Sequence, residues 1–147
     1  MPTNKSKTTK IISVTNQKGG VGKTTTTINL AAALSQLQKK VLIIDLDPQG
    51  NASTGLGVEV EDRELSTYEF LVEGVPLEKV TMETEISGLN IVPATIDLSS
   101  ADIDLISNEK RSHLLHAALR KKQKDKQKYD YILIDCPPSL NILTVNA

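Results

Sequence analysis

The residues best placed to do chemistry are Gly19, Gly20, Gly22, Lys23 and Thr24, within Gln17-Lys18-Gly19-Gly20-Val21-Gly22-Lys23-Thr24-Thr25. Glycines lack Cβ, so a backbone rich in them can wrap a phosphate with its N–H groups pointing inward. A helix beginning at once behind the loop adds the positive end of its dipole. Lys23 would then reach the β- and γ-phosphates of a nucleotide, and the Thr24 hydroxyl would ligate Mg²⁺. Lys18, Gly19, Gly20, Val21, Gly22, Lys23, Thr24 and Thr25 together form the expected nucleotide-binding segment. The general pattern is G-x-x-x-x-G-K-[ST]; this chain has Gln17 at its first position, followed by a second lysine, Lys18.

Carboxylates supply the other half of such a site. Asp45 and Asp47 stand two apart in Ile43-Ile44-Asp45-Leu46-Asp47-Pro48-Gln49-Gly50, which puts both on one side of an extended chain. They close an apolar run, at the strand mouth where open α/β sheets bind ligands. Asp135 ends a second apolar run, Ile132-Leu133-Ile134, in the manner of an aspartate in a magnesium shell. Cys136 reads as a small buried filler. His113 and His116 lack a third ligand and read as ordinary helix residues.

These side chains need a scaffold. Lys10–Thr15 is β-rich and runs into the glycines. Thr24–Leu37 carries a helical stripe at Ile28, Ala31 and Leu34, and again at Leu30 and Leu37. Lys40–Asp45 is a near-continuous apolar run, as in a strand covered on both faces of a parallel sheet. Leu89–Ala94 is a weaker strand, Asp97–Ser107 and Glu109–Lys126 are expected helices, and Tyr129–Asp135 is a further strand. The rhythm predicts an α/β fold, a mostly parallel sheet with helices on both faces. Asn51–Ser87 is acidic and rich in turn residues (Gly55, Gly57, Gly74-Val75-Pro76), with a short helix expected around Thr67–Val72.

The chain of 147 residues is one domain in length, with 39% hydrophobic and 24% charged residues. Aromatics make up 3% and tryptophan is absent, which leaves little for base stacking on single strands. One cysteine rules out an internal disulfide and fits a reducing cytosol. No run is long enough to cross a bilayer, and Met1 to Lys10 lacks the apolar core of a secretory signal. Residues 1–9 are expected to be a disordered tail and residues 10–147 a single domain. The net charge of −1 conceals an asymmetry: from Asp45 to Asp104 the only cations are Arg63 and Lys79, whereas from Glu109 to Lys128 the only carboxylates are Glu109 and Asp125. The basic run Arg120–Lys128 reads first as cations at a helix C-terminus, with duplex DNA phosphates as the alternative.

Taken together, NQKGGVGKTTT, IIDLDPQGNAS, LNIVPATIDLSSADIDL and YDYILIDCPPSLNILTVNA resemble the ParA/Soj family of bacterial DNA-partitioning ATPases over residues 10–147. The Lys18 variant of the loop is similar to the deviant form shared by the ParA/MinD group. The resemblance implies a P-loop NTPase domain represented by its N-terminal part, with the C-terminal strands, much of the adenine pocket and most of the DNA-contacting surface beyond Ala147. It implies that the strand leading into the phosphate loop lacks its outer neighbour.

For chemistry, the resemblance implies ATP and Mg²⁺ as cofactors, with Lys18, Lys23 and Asp47 as catalytic residues. Lys18 would reach the partner's phosphates in an ATP-dependent homodimer, a cation supplied in trans as an arginine finger is. Asp47 would position the attacking water, while Thr24, Asp45 and Asp135 would hold the magnesium, the two aspartates through its waters. Hydrolysis would be slow and stimulated by a ParB-type centromere-binding protein. The dimer would hold non-specific double-stranded DNA and segregate a chromosome or plasmid, in a cytoplasmic, nucleoid-associated setting with no membrane partner. The first strand begins near residue 10, which favours the small form without a helix-turn-helix extension.

Gln38 stands where relatives carry a helix-ending glycine, and Asn141 replaces a common glycine, mildly because asparagine tolerates left-handed geometry. Three rival readings follow from the same residues. A MinD-like division-site ATPase shares the two-lysine loop but not the DPQGNAS continuation. An electron-transfer protein of the nitrogenase iron-protein kind needs cluster cysteines that Cys136 alone cannot supply. An inactive, truncated nucleotide-binding fragment is the third.

Overall fold

The sheet order is β1-β5-β2-β4-β3, and it follows from where the apolar runs fall. The computed structural model describes residues 8–15, 18, 22–123, 128–138 and 141–147, with backbone only at Asp102 and at 121–123. β2 (Val41–Asp45) and β5 (Tyr131–Asp135) are the central apolar runs and pair in parallel. β1 (Lys10–Val14) pairs parallel with β5, and β4 (Leu89–Val92) parallel with β2. The short β3 (Met82–Glu83) pairs antiparallel with β4. The mostly parallel α/β sheet expected from the sequence is present, with β3 as an addition that Asn51–Ser87 did not signal.

Strand residues alternate between two cores, because successive side chains leave opposite faces of a sheet. Leu42, Ile44, Ile132 and Ile134 point into one, and Val41, Ile43 and Leu133 into the other. The second core is covered by α1 (Lys23–Gln36), through Ala31 with Ile28 and Leu34, and by Ala52 of α2 (Asn51–Gly55). The first is covered by α3 (Thr67–Val72), α4 (Leu77–Val80), α5 (Ala101–Asp104), α6 (Leu114–Gln123) and α7 (Ile142–Asn146). Each fully buried Leu or Ile here contributes about 1.5–3 kcal/mol. Every residue of β2 is buried, so its aspartate is carried inside by its apolar neighbours.

Several boundaries moved. The α1 stripe is carried by Ile28, Ala31 and Leu34, whereas Leu37, 70% exposed, lies past the helix end and faces solvent. α3 matches its expected span and is fixed by a capping box between Ser66 and Glu69. The helix expected over Asp97–Ser107 is instead a 3-10 turn at Ile96–Ser100 followed by the four residues of α5. Ser99 Oγ donates to Ile96 O (2.7 Å) and Ser100 Oγ to Asp97 O (2.8 Å), local bonds that compete with a regular helix. The helix expected from Glu109 opens instead with a 3-10 turn at Arg111–His113 that runs into α6 at Leu114, because Asn108 Oδ1 accepts from Lys110 N (2.9 Å) and holds a turn ahead of it.

Gln38 adopts φ 58°, a left-handed conformation with a side chain present. Asn141 does not: its backbone is extended, and its side chain caps α7 by accepting from Leu143 N and Thr144 N. Within the stretch expected as a tail, Thr9 Oγ1 donates to Tyr129 O (2.7 Å). The rest of the tail, residues 1–7, lies outside the described residues, as do 124–127 of the basic run.

Candidate nucleotide and metal site

Parallel pairing in register brings the carboxylates together. Asp45 is opposite Asp135 at the ends of β2 and β5, and Val14 is opposite Asp135 at the end of β1. Three chain ends thus reach one level at the C-terminal edge of the sheet, where ligands sit in open α/β folds. α1 starts at this edge. Its N-cap is Gly22 at φ 82°, with no side-chain cap and no acidic residue in the first turn. The left-handed backbone favours glycine, and the uncapped N–H groups make the helix start receptive to an anion.

Asp135, fully buried, is held by two hydroxyls from one face of α1. Thr24 Oγ1 donates to its Oδ2 (2.8 Å) and Thr27 Oγ1 to its Oδ1 (3.3 Å). The single Thr27 proton is shared with Lys23 O, the nearer acceptor (2.9 Å). Burial raises the Asp135 carboxyl above its ordinary value, the two threonines oppose that, Asp47 adds to it and Lys23 counters it. Lys23 is half-buried, with its Nζ on Lys18 O at 3.4 Å.

Asp45 is buried, and both of its oxygens accept from backbone or hydroxyl donors. Asp47 N donates to Oδ1 (3.1 Å), while Ser53 N (3.0 Å) and Ser53 Oγ (2.7 Å) donate to Oδ2. Burial pushes its carboxyl up to about 7, against the pull of the Ser53 and Asp47 donors and with a further push from Asp135. Asp47 is 8% exposed and its Oδ1 accepts from Gln49 N (3.0 Å), which tightens the turn. Cys136 is the buried filler expected, its thiol pushed up to about 12 by burial and the adjacent Asp135.

The expected residues Thr24, Lys23, Gly22, Asp45, Asp47 and Asp135 are therefore gathered at one end of the sheet. Lys18 and Thr25 are exposed beside them, whereas Gly19, Gly20 and Val21 lie outside the described residues. Sequence reasoning missed Thr27 and Ser53, which hold Asp135 and Asp45 respectively. Thr27 had a legible signal, because it lies three residues after Thr24 on the same helix face. Ser53 had none, since its role depends on α2 folding back onto β2. The described residues contain no cluster of three His, Cys, Asp or Glu arranged to cage a metal.

A mostly parallel sheet whose first strand leads toward a helix with Lys-Thr at its start, facing aspartates on the neighbouring strands, defines the P-loop class of nucleotide-binding folds. The chain belongs to the AAA_31 family, described as an AAA domain, whose profile matches residues 9–147. It is 50% identical over 138 residues to the sporulation initiation inhibitor protein Soj of Bacillus subtilis, covering 94% of this chain and 53% of that protein. It is 47% identical over 138 residues to the chromosome partitioning protein ParA of Myxococcus xanthus, covering 94% and 48%. Among solved structures, cobyrinic acid a,c-diamide synthase from Mycobacterium smegmatis with bound ATP analogue and magnesium superimposes with a TM-score of 0.88 at 40% identity, over 95% of this chain and 55% of that one. The chain spans about half the length of the curated relatives it matches.

Proposed function

We propose that the chain binds ATP with Mg²⁺ at the start of α1. We further propose that it forms the N-terminal part of an ATPase that dimerises on ATP, holds non-specific duplex DNA and segregates a chromosome or plasmid with a ParB-type partner. The observation that carries the reading is the Asp135 carboxylate bridged to Thr24 and Thr27 in register with Asp45. Buried carboxylates whose charge burial penalises are stabilised by a divalent ion beside them.

The donor set fits magnesium in particular. Mg²⁺ keeps most of its waters and takes only one or two protein groups along with nucleotide phosphates, so a closed protein cage is not required. Thr24 would ligate it, and Asp45 and Asp135 would hold its waters; bound there, the ion would neutralise charge on the β- and γ-phosphates. Lys23, half-buried at the head of α1, would bind the same phosphates. Asp47, two residues past Asp45 on a hydrogen-bonded turn, would orient the attacking water. Lys18, exposed at the loop, would serve the partner subunit's phosphates, so hydrolysis would be slow until two subunits meet.

Relatives named for partitioning and a structural match named for a synthase share this same half, which supports nucleotide handling as its task. No helix among the described residues is long and apolar enough to cross a membrane. The test is retention of the protein on random duplex DNA and on anionic liposomes, each with and without ATP and Mg²⁺. ATP-dependent retention on DNA alone supports partitioning. Retention on liposomes alone moves the function to a membrane surface, and retention on neither restricts it to nucleotide binding.

A further inference from the structure

Arg63 is 7% exposed, and its guanidinium lies behind the turn that carries Asp47. Its Nε (3.2 Å) and Nη2 (2.7 Å) donate to Val58 O, Nη2 to Thr54 Oγ1 (2.8 Å), and Nη1 to Ala94 O (3.0 Å). No carboxylate is among these partners. A buried charge is costly unless its donors are satisfied, and a simple spacer at this place could be apolar. What the guanidinium adds is a rigid fork that ties three segments at fixed angles.

Those segments are the ones that hold the site. Ala94, just past β4, is gripped on both sides of its backbone: Arg63 donates to its carbonyl, and its N–H donates to Ser53 Oγ (3.0 Å). The same Ser53 hydroxyl donates to Asp45 Oδ2 (2.7 Å), so a continuous chain of bonds runs from Arg63 to the Asp45 carboxylate. Gly50 closes the Asp47 turn through Gly50 N to Asp47 O (2.8 Å). A Cβ on Gly50 would clash with Arg63 Nη1 and lie 3.1 Å from Ala94 O, so the guanidinium is packed directly against that turn.

We propose that Arg63 is a positioning residue that sets the Asp45–Asp47 turn through Ala94, Ser53 and Gly50. The proposal rests on the ATP–magnesium reading given above. Outer partners that orient metal-shell groups cost about 10–100-fold in metal affinity when removed.

The test is ATP affinity measured in EDTA and in Mg²⁺, for the parent chain, Arg63→Met and Thr54→Val, together with thermal melting. In Arg63→Met the tightening produced by Mg²⁺ should shrink about tenfold, while affinity in EDTA, which depends on Lys23 and the loop, stays at the parent value. Thr54 is exposed, and Thr54→Val removes one of the fork's bonds; it should shrink the Mg²⁺ effect about threefold and remain folded even if Arg63→Met does not. An equal loss of affinity in EDTA and in Mg²⁺ would mean a merely structural role and overturn the proposal. So would an undiminished Mg²⁺ effect in the folded variants. A parent chain that binds no ATP in either condition would overturn the functional reading itself, and the proposal with it.

Discussion

Asp135 takes one hydroxyl on each oxygen, and the two can be removed separately. Thr27→Val keeps the volume and branching of the side chain but deletes its bonds to Asp135 and to Lys23 O. Loss of a buried hydrogen bond should cost about 1 kcal/mol, read as a lower midpoint in denaturant; an unchanged midpoint would show that neither contact contributes. Asp45 makes a prediction in pH. Burial raises its carboxyl from 3.8 to about 7, so its stability contribution is complete below the unfolded value and is lost as pH rises through about 7. In EDTA the parent should therefore lose stability between about pH 5 and pH 7 relative to Asp45→Ala, measured by chemical denaturation. Parallel curves for the two proteins would contradict that account. At Lys18, substitution by alanine should abolish hydrolysis and leave much of the ATP binding, and normal hydrolysis by a monomeric Lys18→Ala would sink the supply of that lysine in trans.

Elements whose partners are close in sequence were the legible ones. β2 and β5 announce themselves as apolar runs ending in aspartate, and α1 as a stripe behind a glycine loop, because each signal is complete within a few residues. Apart from Thr27, the supports were not legible. Ser53 meets Ala94 across 41 residues, and Arg63 meets Ala94 across 31, so no local pattern contains both members of either pair. The acidic stretch around α2, α4 and β3 was opaque for the same reason, since these short pieces are fixed by the core they cover rather than by their own periodicity. The end of α1 was readable in advance: Gln38 at φ 58° pays a steric cost that glycine would not. Gln38→Gly should therefore stabilise the chain by about 1 kcal/mol, seen as a higher melting temperature, and a lower one would mean that the Gln38 side chain contributes more than its backbone loses.

At the scale of the molecule, the sheet has unequal edges. β3 is a two-residue antiparallel strand, which blunts one side, whereas β1 stands at the other with Ile11 42% and Ile12 37% exposed. An apolar edge with no further strand beside it among the described residues is a template for association. Ile12→Lys should lower light scattering of the chain on warming, and equal scattering would place the sticky surface elsewhere. The same edge strand precedes α1 in the chain, so the proposed nucleotide site stands on the central β5 and β2 and on the margin at once. The most direct test of the whole account is a calorimetric titration of ATP into this chain with and without Mg²⁺, repeated with Lys23→Ala. Binding that Mg²⁺ tightens and that Lys23→Ala weakens by at least about tenfold is the result expected. Binding indifferent to both Mg²⁺ and Lys23 would contradict a nucleotide site at the start of α1.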